Sequence, residues 1–489
     1  MRVTDKEFIH MHCHTDQGSN VRFRDSIIKV PQLIDYAYEL GNKGVAITDH
    51  ESVSAHITAM QYLEKQKKKG KLPEDFKVIY GNEIYLLESE EETEDKMSQN
   101  EKISFGHFIL LSLDKKGHDY MRELSSRAWI RGRVYRNSMR VPTYIEDLRE
   151  VIKEKGHLVV ATACLGSTLN HIRQRGYGQA IEFMEEIIDI FGEGNVYLEM
   201  QPALSEDQIE YNKWLNLLSK DMELPLLIAT DSHYLSKEHQ KVHMAFLTSD
   251  SKGDSRGEKP EFYDSTHMYT VEQIYEDMNY LDEDIITKAI TNTLDIYERA
   301  EIYTLEARTT IPKIELPPIP SWFYTPDEIF KKLEECEDFL GNILWLYDSK
   351  DPEDNYLFTL IFEGLCKTRK LYKGVFDEKL LHYLRRIDRE CEVLRKISAK
   401  LGQPMSSYFV TMGFLVNEII WERAQAIVGV SRGSALGFEI NYLLNITQAD
   451  PLIQPCDCPF WRFLHEDRPK LNWVSKVNFA KRCDIIKYC

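Results

Sequence analysis

The sequence predicts an α/β fold for about the first 300 residues and a mainly helical second part. In the first part, short runs rich in Val, Ile and Leu alternate with polar amphipathic segments, a pattern typical of buried strands covered by helices. A proline-rich stretch then interrupts the pattern. Beyond it, apolar residues recur at a spacing near 3.6, which is typical of helices. One such helical face consists of Leu384, Ile387, Cys391, Leu394 and Ile397.

Length and composition exclude several classes of protein. The 489 residues are enough for several domains, each of about 100–200 residues. With 61 Lys+Arg and 79 Asp+Glu the formal net charge is −18, which excludes nucleic-acid binding through bulk charge but not through a local basic groove. No apolar run of about 18 residues and no signal peptide is present, and nine Cys do not form a disulfide scaffold. We therefore expect a cytoplasmic protein without a membrane span.

Six apolar runs predict the buried strands of an α/β barrel or a parallel sheet. They are residues 45–48, 78–80, 108–113, 158–161, 196–200 and 226–230. Residues 87–102 (LESEEETEDKMSQNEK) are acidic and poor in apolar side chains, so we predict an exposed loop there.

Prolines mark the main domain boundary. Five of them fall within residues 311–326, and each removes a backbone donor and restricts φ, so regular structure cannot continue through this stretch. We predict four regions: a first domain over 1–300, a linker over 301–326, a second domain over 327–470 and a divergent tail over 471–489.

A histidine-rich segment follows Phe8 and Ile9, with histidines at every second position. In a strand, alternate residues point to one face, so His10, His12 and His14 are predicted to project together. Imidazole is a good ligand for Zn, Cu, Fe and Ni. Taken alone, the segment is equally compatible with a cluster of surface histidines.

Further metal-binding residue types stand at the ends of the predicted strands. They are Asp49-His50, Glu83, His107, Cys164 and Asp231-Ser232-His233. Barrel enzymes carry their chemistry at the carboxyl ends of their strands. For a single residue such as His107 or Cys164, burial in the core is the alternative interpretation. The whole set predicts a metal site at one rim of the sheet.

In their order along the chain, these residues resemble the PHP (polymerase and histidinol phosphatase) domain over about residues 5–295. The resemblance implies a distorted barrel of seven strands holding two or three divalent metals, with Zn or Mn expected. It implies hydrolysis of phosphate esters, in some members as a 3′-to-5′ exonuclease. A purely structural metal site is the alternative. The ligands implied by the resemblance are His12, His14, Asp25, His50, Glu83, His107, Cys164, Asp231 and His233.

The second half resembles the alpha subunit of bacterial DNA polymerase III. The matching segments are residues 361–365 (IFEGL), 407–420 (SYFVTMGFLVNEII) and 428–452 (VGVSRGSALGFEINYLLNITQADPL). A glycine-rich turn lets backbone N–H groups approach phosphate, and an arginine can bind phosphate bidentately. The resemblance therefore implies that Arg432, Gly433 and Ser434 bind the phosphates of an incoming nucleotide. It also implies DNA and deoxynucleotides as partners and Mg²⁺ for the polymerase reaction.

One departure from this family concerns the polymerase aspartates. The family has a Pro-Asp-x-Asp-x-Asp motif shortly after the segment that corresponds to residues 462–468, and this sequence has none there. We therefore expect an incomplete polymerase palm/thumb region, and no primer extension by this chain alone. An interrupted gene, a split gene with a second chain, or a decayed remnant would each explain the departure. The first two favour a phage-encoded protein acting in a bacterial cytoplasm.

A cluster of arginines with interleaved aromatic residues suits a single-stranded nucleic acid. The cluster spans Arg122 to Arg140 and includes Trp129 and Tyr135. The predicted DNA contacts are Arg127, Arg131, Arg133 and Arg136. Ion pairs with the acidic residues of 87–102, or a solvated helix face, are the alternatives.

Three functional hypotheses remain open from the sequence. The chain is part of a replicative DNA polymerase, an autonomous metal-dependent phosphoesterase or exonuclease, or a non-catalytic scaffold that awaits a second polymerase fragment.

Overall fold

The computed structural model describes residues 2–21, 23–136, 138–249, 260–306, 310–318, 331, 340–373, 375, 377–431, 433–453 and 457–467. The chain divides into two compact units, residues 1–305 and 306–489, and each is described by itself. The predicted tail over 471–489 lies outside the described residues. Among the described helices, none combines the length and the apolar character needed to cross a membrane.

The first unit is built on a seven-stranded sheet, and each predicted apolar run forms a strand within it. The order of the strands is β1-β2-β3-β7-β8-β9, with β6 paired to β2, while β4 and β5 form a separate two-stranded sheet. The strands are β1 (Gly44–Ile47), β2 (Lys77–Leu87), β3 (Gly106–Ser112), β4 (Arg133–Tyr135), β5 (Ser138–Arg140), β6 (Pro142–Tyr144), β7 (Leu158–Ala161), β8 (Val196–Met200) and β9 (Leu226–Ile228).

One strand of this sheet runs against its neighbours. Strand β3 is antiparallel to both β2 and β7, whereas the other paired neighbours in the sheet are parallel. The start of β3 therefore lies at the same edge as the carboxyl ends of the parallel strands. A residue at the start of β3 can for this reason join residues that follow β1, β7 and β9.

The histidine-rich segment connects the two ends of the sheet. His10 forms a parallel bridge with Val45 of β1, and Cys13 forms one with Ser232, just after β9. The Ala46 amide donates to the His10 carbonyl (2.8 Å), and the His14 amide donates to the Ser232 carbonyl (2.9 Å). Residues 8–14 thereby curl the sheet towards a barrel, as predicted for this α/β unit.

Helices lie around this sheet, and most of them bury apolar side chains in the core of the unit. They are α1 (Val30–Glu39), α2 (His56–Lys68), α3 (Glu90–Ser98), α4 (Lys115–Arg131), α5 (Ile145–Val151), α6 (Thr168–Arg173), α7 (Tyr177–Phe191), α8 (Glu206–Met222), α9 (Gln240–Thr248), α10 (Val271–Asp277) and α11 (Glu283–Arg299).

Helix α3 corrects the predicted exposed loop over residues 87–102. The Ser89 hydroxyl accepts a hydrogen bond from the Glu92 amide and so caps the helix. The acidic residues fall in the first turn, where negative charge interacts favourably with the helix dipole. Low apolar content alone was therefore a poor indicator, because capping and charge placement stabilise this helix.

The described part of the second unit is mainly helical, as predicted. The helix Glu378–Leu401 carries the five apolar residues that are predicted to form one face, and all five are buried. The helices are α12 (Gly341–Asp348), α13 (Pro352–Arg369), α14 (Glu378–Leu401), α15 (Ser406–Phe414), a π-helix (Leu415–Arg423) and α16 (Glu439–Leu443).

Candidate metal centre

The structure brings together all nine residues that the resemblance implied as metal ligands. The side chain of His107 is 22% exposed, whereas those of His50 and Asp231 are 6% and 3% exposed. The centre is therefore closed except at His107. Its members are His12, His14, Asp25, His50, Glu83, His107, Cys164, Asp231 and His233, and their role as ligands stays a prediction.

Seven of these residues form three overlapping groups, in each of which the ligand atoms lie within 4.8 Å of one another. His14, His50 and Glu83 each belong to two groups, so every pair of groups shares one side chain. This arrangement is that of a multinuclear site rather than of one isolated site. The groups are His14–Asp25–His50–His233, His12–His14–Glu83 and His50–Glu83–His107.

The remaining two residues border these groups. Asp231 Oδ1 lies 3.0 Å from His14 Nε2 and 3.3 Å from His12 Nε2. Cys164 Sγ lies 3.4 Å from His107 Nδ1. Both residues stand at sharp turns, because Ala163 before the cysteine has φ 63° and Asp231 has φ 45°. Positive φ is uncommon for residues other than glycine and often marks a functional site.

Glu83 occupies the middle of the cluster because of the sheet register. It lies within β2, opposite Ile109 of β3, and it pairs as a bridge with His50. Its Oε2 lies 2.5 Å from His50 Nδ1, and its Oε1 lies 2.8 Å from His107 Nδ1. The antiparallel course of β3 thus places His107 beside a carboxylate of the preceding strand.

Several carboxylate oxygens in the cluster are buried without a hydrogen bond, and such atoms indicate whether the site suits a metal ion. Among the described residues, Asp25 Oδ2, Asp231 Oδ1 and both Glu83 oxygens are buried and lack a hydrogen-bond partner. Such atoms are costly unless a partner compensates them. A cation would compensate them, and imidazole, carboxylate and thiol groups together suit first-row divalent metals. The cluster is therefore compatible with a metal site.

The electrostatics of the cluster agree with this interpretation. Burial lowers the pKa of His12, but the carboxylates of Asp231, Glu199 and Glu83 raise it well above its ordinary value. At His14, burial and neighbouring histidines lower the pKa to about 3. The buried carboxylates thus favour positive charge at this position, and a divalent cation bound to neutral imidazoles would supply that charge.

One predicted feature of the histidine-rich segment differs in the structure. The prediction that its three histidines point to one site is correct for His12 and His14 and wrong for His10. The His10 Nδ1 lies 2.9 Å from the Thr230 hydroxyl, and its ring belongs to none of the three groups. The reason is local: residues 8–14 form single bridges rather than a continuous strand, so the alternation of faces is not maintained.

Asp49, adjacent to His50, binds the loop that contains Thr15 and Ser19. Its carboxylate accepts hydrogen bonds from the Thr15 amide (2.5 Å) and the Ser19 hydroxyl (2.9 Å), and Ser19 Oγ lies 2.9 Å from His14 Nδ1. Burial raises the pKa of Asp49 to about 6. Asp49 therefore orients His14 through Ser19.

Glu199 is a functional residue that the sequence analysis missed. Its Oε1 lies 2.7 Å from His12 Nδ1 and accepts a hydrogen bond from the Gln201 side chain at 3.0 Å. A carboxylate at Nδ1 holds the proton there and leaves Nε2 free for a metal. The available signal was a lone acidic residue within the buried run over residues 196–200.

We predict that Glu199→Gln weakens divalent-metal binding by about 10-fold to 100-fold, because the proton on His12 Nδ1 is no longer held by a charged partner. The Kd for Mn²⁺ or Zn²⁺, measured by isothermal titration calorimetry, checks this. Glu182→Gln, an exposed change on α7, is the matched control. Equal affinities for both variants would contradict the role of Glu199.

The predicted DNA-contacting arginines pair with carboxylates. Arg131 donates to both oxygens of Asp147, at 2.7 and 3.0 Å, and also lies 3.0 Å from Glu90. Arg133 forms an ion pair with Glu94. Glu90 and Glu94 belong to α3, so this helix neutralises part of the cluster.

The other two arginines are also engaged. Arg127 pairs with Glu123 at 2.9 Å and with Glu150 at 2.5 Å. Arg136 donates to the side chain and the carbonyl of Asn100. These contacts favour the alternative of internal pairing, and DNA binding by the four arginines stays a prediction.

The predicted phosphate-binding turn lies in the second unit. Gly433–Gly437 forms a 3₁₀ turn directly before α16, and Gly433 has φ 75°, which favours glycine. Gly433 is exposed and Ser434 is half-buried. Arg432 lies outside the described residues, so its predicted contact is not tested.

Buried charges anchor this turn to α14. Arg386 donates to the carbonyls of Gly437 (2.5 Å) and Cys458 (2.7 Å) and to Glu390 Oε1 (2.7 Å). The Glu390 carboxylate accepts the amides of Glu439 (2.9 Å) and Ile440 (3.0 Å) at the start of α16. The C-terminal end of the turn and the start of α16 are therefore attached to α14.

We expect the stability of this unit to depend on pH because of the buried carboxyl group of Glu439. Burial raises the pKa of Glu439 to about 8, against the opposing charge of Arg369. The folded chain therefore retains a proton that the unfolded chain releases, so the free energy of unfolding falls as pH rises from about 4.5 to 8. We predict a smaller fall in Glu439→Gln, measured by urea unfolding at pH 5 and pH 8. The exposed Glu422→Gln is the control, and identical pH profiles for the two variants would contradict the prediction.

Comparison with known families agrees with both halves of this description. Residues 10–203 match the family described as the PHP domain. Residues 357–485 match the family described as the bacterial DNA polymerase III alpha NTPase domain. The first match contains the predicted ligands from His12 to Cys164, and the structure adds Asp231 and His233 from beyond it.

Curated relatives match almost the whole chain. A probable DNA polymerase, YorL, of Bacillus subtilis and a DNA-directed DNA polymerase of Bacillus phage SPbeta are both 40% identical over 98% of this chain. The DNA polymerase III subunit alpha of Aquifex aeolicus is 26% identical over 99% of this chain. The chain spans 37% of the length of each of these relatives.

The fold and the buried cluster define an α/β unit with a metal-compatible site. Within this unit residues 10–203 match the PHP domain, and residues 357–485 of the same chain match the bacterial DNA polymerase III alpha NTPase domain. The predicted resemblance to the alpha subunit of bacterial DNA polymerase III is therefore confirmed.

Proposed function

We propose that the first unit is a divalent-metal-dependent phosphoesterase that removes nucleotides from the 3′ end of DNA, as part of a replicative polymerase of the DNA polymerase III alpha type. The observation that carries this proposal is the set of three ligand groups joined by His14, His50 and Glu83. We propose two or three Zn²⁺ or Mn²⁺ ions, held by the nine clustered residues.

When bound, such ions supply an activated water and offset the charge of the phosphate. The residues of the chain prepare the site for this chemistry. Glu199 holds the proton of His12 at Nδ1, and Ser19 orients His14. The burial of the other members leaves the edge at His107 as the path by which a phosphate reaches the centre.

For the second unit, the proposal is nucleotide binding at the glycine-rich turn. Gly433 and Ser434, together with Arg432, would contact the phosphates of a deoxynucleotide, and Mg²⁺ would serve the polymerase reaction. A second chain that carries further polymerase segments is the proposed partner. Binding of a fluorescent deoxynucleotide with Mg²⁺ tests this, with Ser434→Ala expected to weaken it.

The decisive experiment for the first unit is a nuclease assay on the purified chain. The substrate is a single-stranded oligonucleotide labelled at its 3′ end, with Mn²⁺, Zn²⁺ or EDTA. We expect rapid loss of the 3′ label with metal and none with EDTA, whereas a 5′ label is retained until late. Hydrolysis of p-nitrophenyl phosphate alone would indicate a phosphomonoesterase instead. Bound metal without any hydrolysis would indicate a structural site.

A further inference from the structure

Two residues outside the nine clustered ones hold Asp25 in place. The Tyr263 hydroxyl donates a hydrogen bond to Asp25 Oδ1 at 3.3 Å. The imidazole of His243, which is fully buried, donates from Nε2 to the Asp25 carbonyl at 2.5 Å. Tyr263 lies in a 3₁₀ turn (Pro260–Ser265) and His243 lies in α9. Distant parts of the chain therefore meet behind this one carboxylate.

The two oxygens of Asp25 face different surroundings. Oδ2 lies 3.1 Å from Nε2 of His50 and 3.1 Å from Nε2 of His233, so it faces the other members of the cluster. Oδ1 accepts the hydrogen bond from Tyr263 instead. A hydrogen bond to one oxygen of a ligating carboxylate fixes the orientation of that carboxylate. The Tyr263 hydroxyl therefore holds the Asp25 carboxylate with Oδ2 turned towards the cluster.

The same two residues also pack against the ring of His233. The centroid of the Tyr263 ring lies 5.3 Å from that of His233 in an edge-to-face arrangement, and the centroid of the His243 ring lies 6.0 Å from it. His233 Nδ1 donates to the Asp231 carbonyl at 2.7 Å, which leaves Nε2 for a metal. Of the three ligand groups, Asp25 and His233 belong only to His14–Asp25–His50–His233. Tyr263 and His243 therefore support this group in particular.

We propose that Tyr263 and His243 are positioning residues for one metal ion of the centre, the ion held by the four-residue group that contains Asp25. The inference rests on the proposed metal centre and adds that its ions are supported by separate sets of residues. Glu199 supports a different group, because it contacts His12. Neither Tyr263 nor His243 lies within residues 10–203, which match the PHP domain. The contacts with Asp25 and His233 alone assign them this role.

The test is a titration of the full chain with Mn²⁺, in which the electron paramagnetic resonance signal of the free ion gives a Kd for each bound ion. Tyr263→Phe keeps the ring and removes the hydroxyl, so we expect it to weaken one ion about 10-fold and to leave the others unchanged. His243→Ala is expected to weaken the same ion, and His243→Gln to restore its affinity, because an amide can still donate to the Asp25 carbonyl. Tyr177→Phe is the matched control, since it removes a hydroxyl that donates to Asp221 at 2.6 Å outside the cluster.

The selectivity of the effect separates a positioning role from a merely structural one. Equal affinities in Tyr263→Phe and the unmodified chain, or a uniform loss for every ion, would overturn the proposal. An unmodified chain that binds no Mn²⁺ would overturn it as well. If Tyr263→Phe weakens a single ion but the unmodified chain hydrolyses no phosphate ester, the phosphoesterase function fails and the positioning role stands.

Discussion

Replacing His12 and His14 together with alanine is expected to abolish metal binding and hydrolysis at once. His14 belongs to two of the three ligand groups and His12 to one of them, so the double change removes ligands from two groups. It also leaves the Glu83 and Asp231 carboxylates without the imidazoles that face them at 3.0 to 3.5 Å. Metal content by mass spectrometry and release of a 3′ label measure the two losses.

The control for this experiment is His239→Ala, because His239 is exposed and lies outside the three groups. This variant is expected to retain metal and activity. Circular dichroism of the double variant establishes that it is folded. Hydrolysis that survives in a folded double variant would show that the assigned centre is not the site of reaction.

Removing divalent metal is expected to lower the melting temperature of the first unit by on the order of 10 °C. A ligand that binds only the folded state stabilises it by about 4 kcal/mol at 1,000 times its Kd, and each kcal/mol shifts the melting temperature by about 2–4 °C in a large domain. The physical source is the buried carboxylate oxygens of Asp25, Glu83 and Asp231, which face imidazoles of the cluster but have no hydrogen-bond partner within the described part of the chain. Calorimetric scans with EDTA and with added Mn²⁺ measure the shift.

The double histidine variant provides the control for the thermal experiment. Its melting temperature is expected to be insensitive to metal, because the stabilisation requires the intact ligand set. A transition of the unmodified chain that does not move between EDTA and saturating Mn²⁺ would contradict a buried metal centre. An equal shift in the variant would assign the stabilisation to metal bound elsewhere.

Predictions from apolar runs and apolar periodicity agree with the structure. The run before Asp49 and the run before Asp231 both form buried strands, and the face of α14 is buried as predicted. Periodicity is informative here because the buried face of a strand or a helix needs apolar side chains at the spacing of that element, which is two residues in a strand and about 3.6 in a helix. The acidic helix α3 was missed because its stability comes from a cap and from pairing with arginines.

The sequence by itself determined the chemical character of the centre, namely which histidines, carboxylates and thiol stand at the strand ends, because residue type and strand position are local properties. Only the tertiary structure decided which of them meet. The antiparallel course of β3 brings His107 to Glu83, and the irregular bridges of residues 8–14 turn His10 away. The role of Glu199 also depends on a contact between distant segments, which no local pattern encodes.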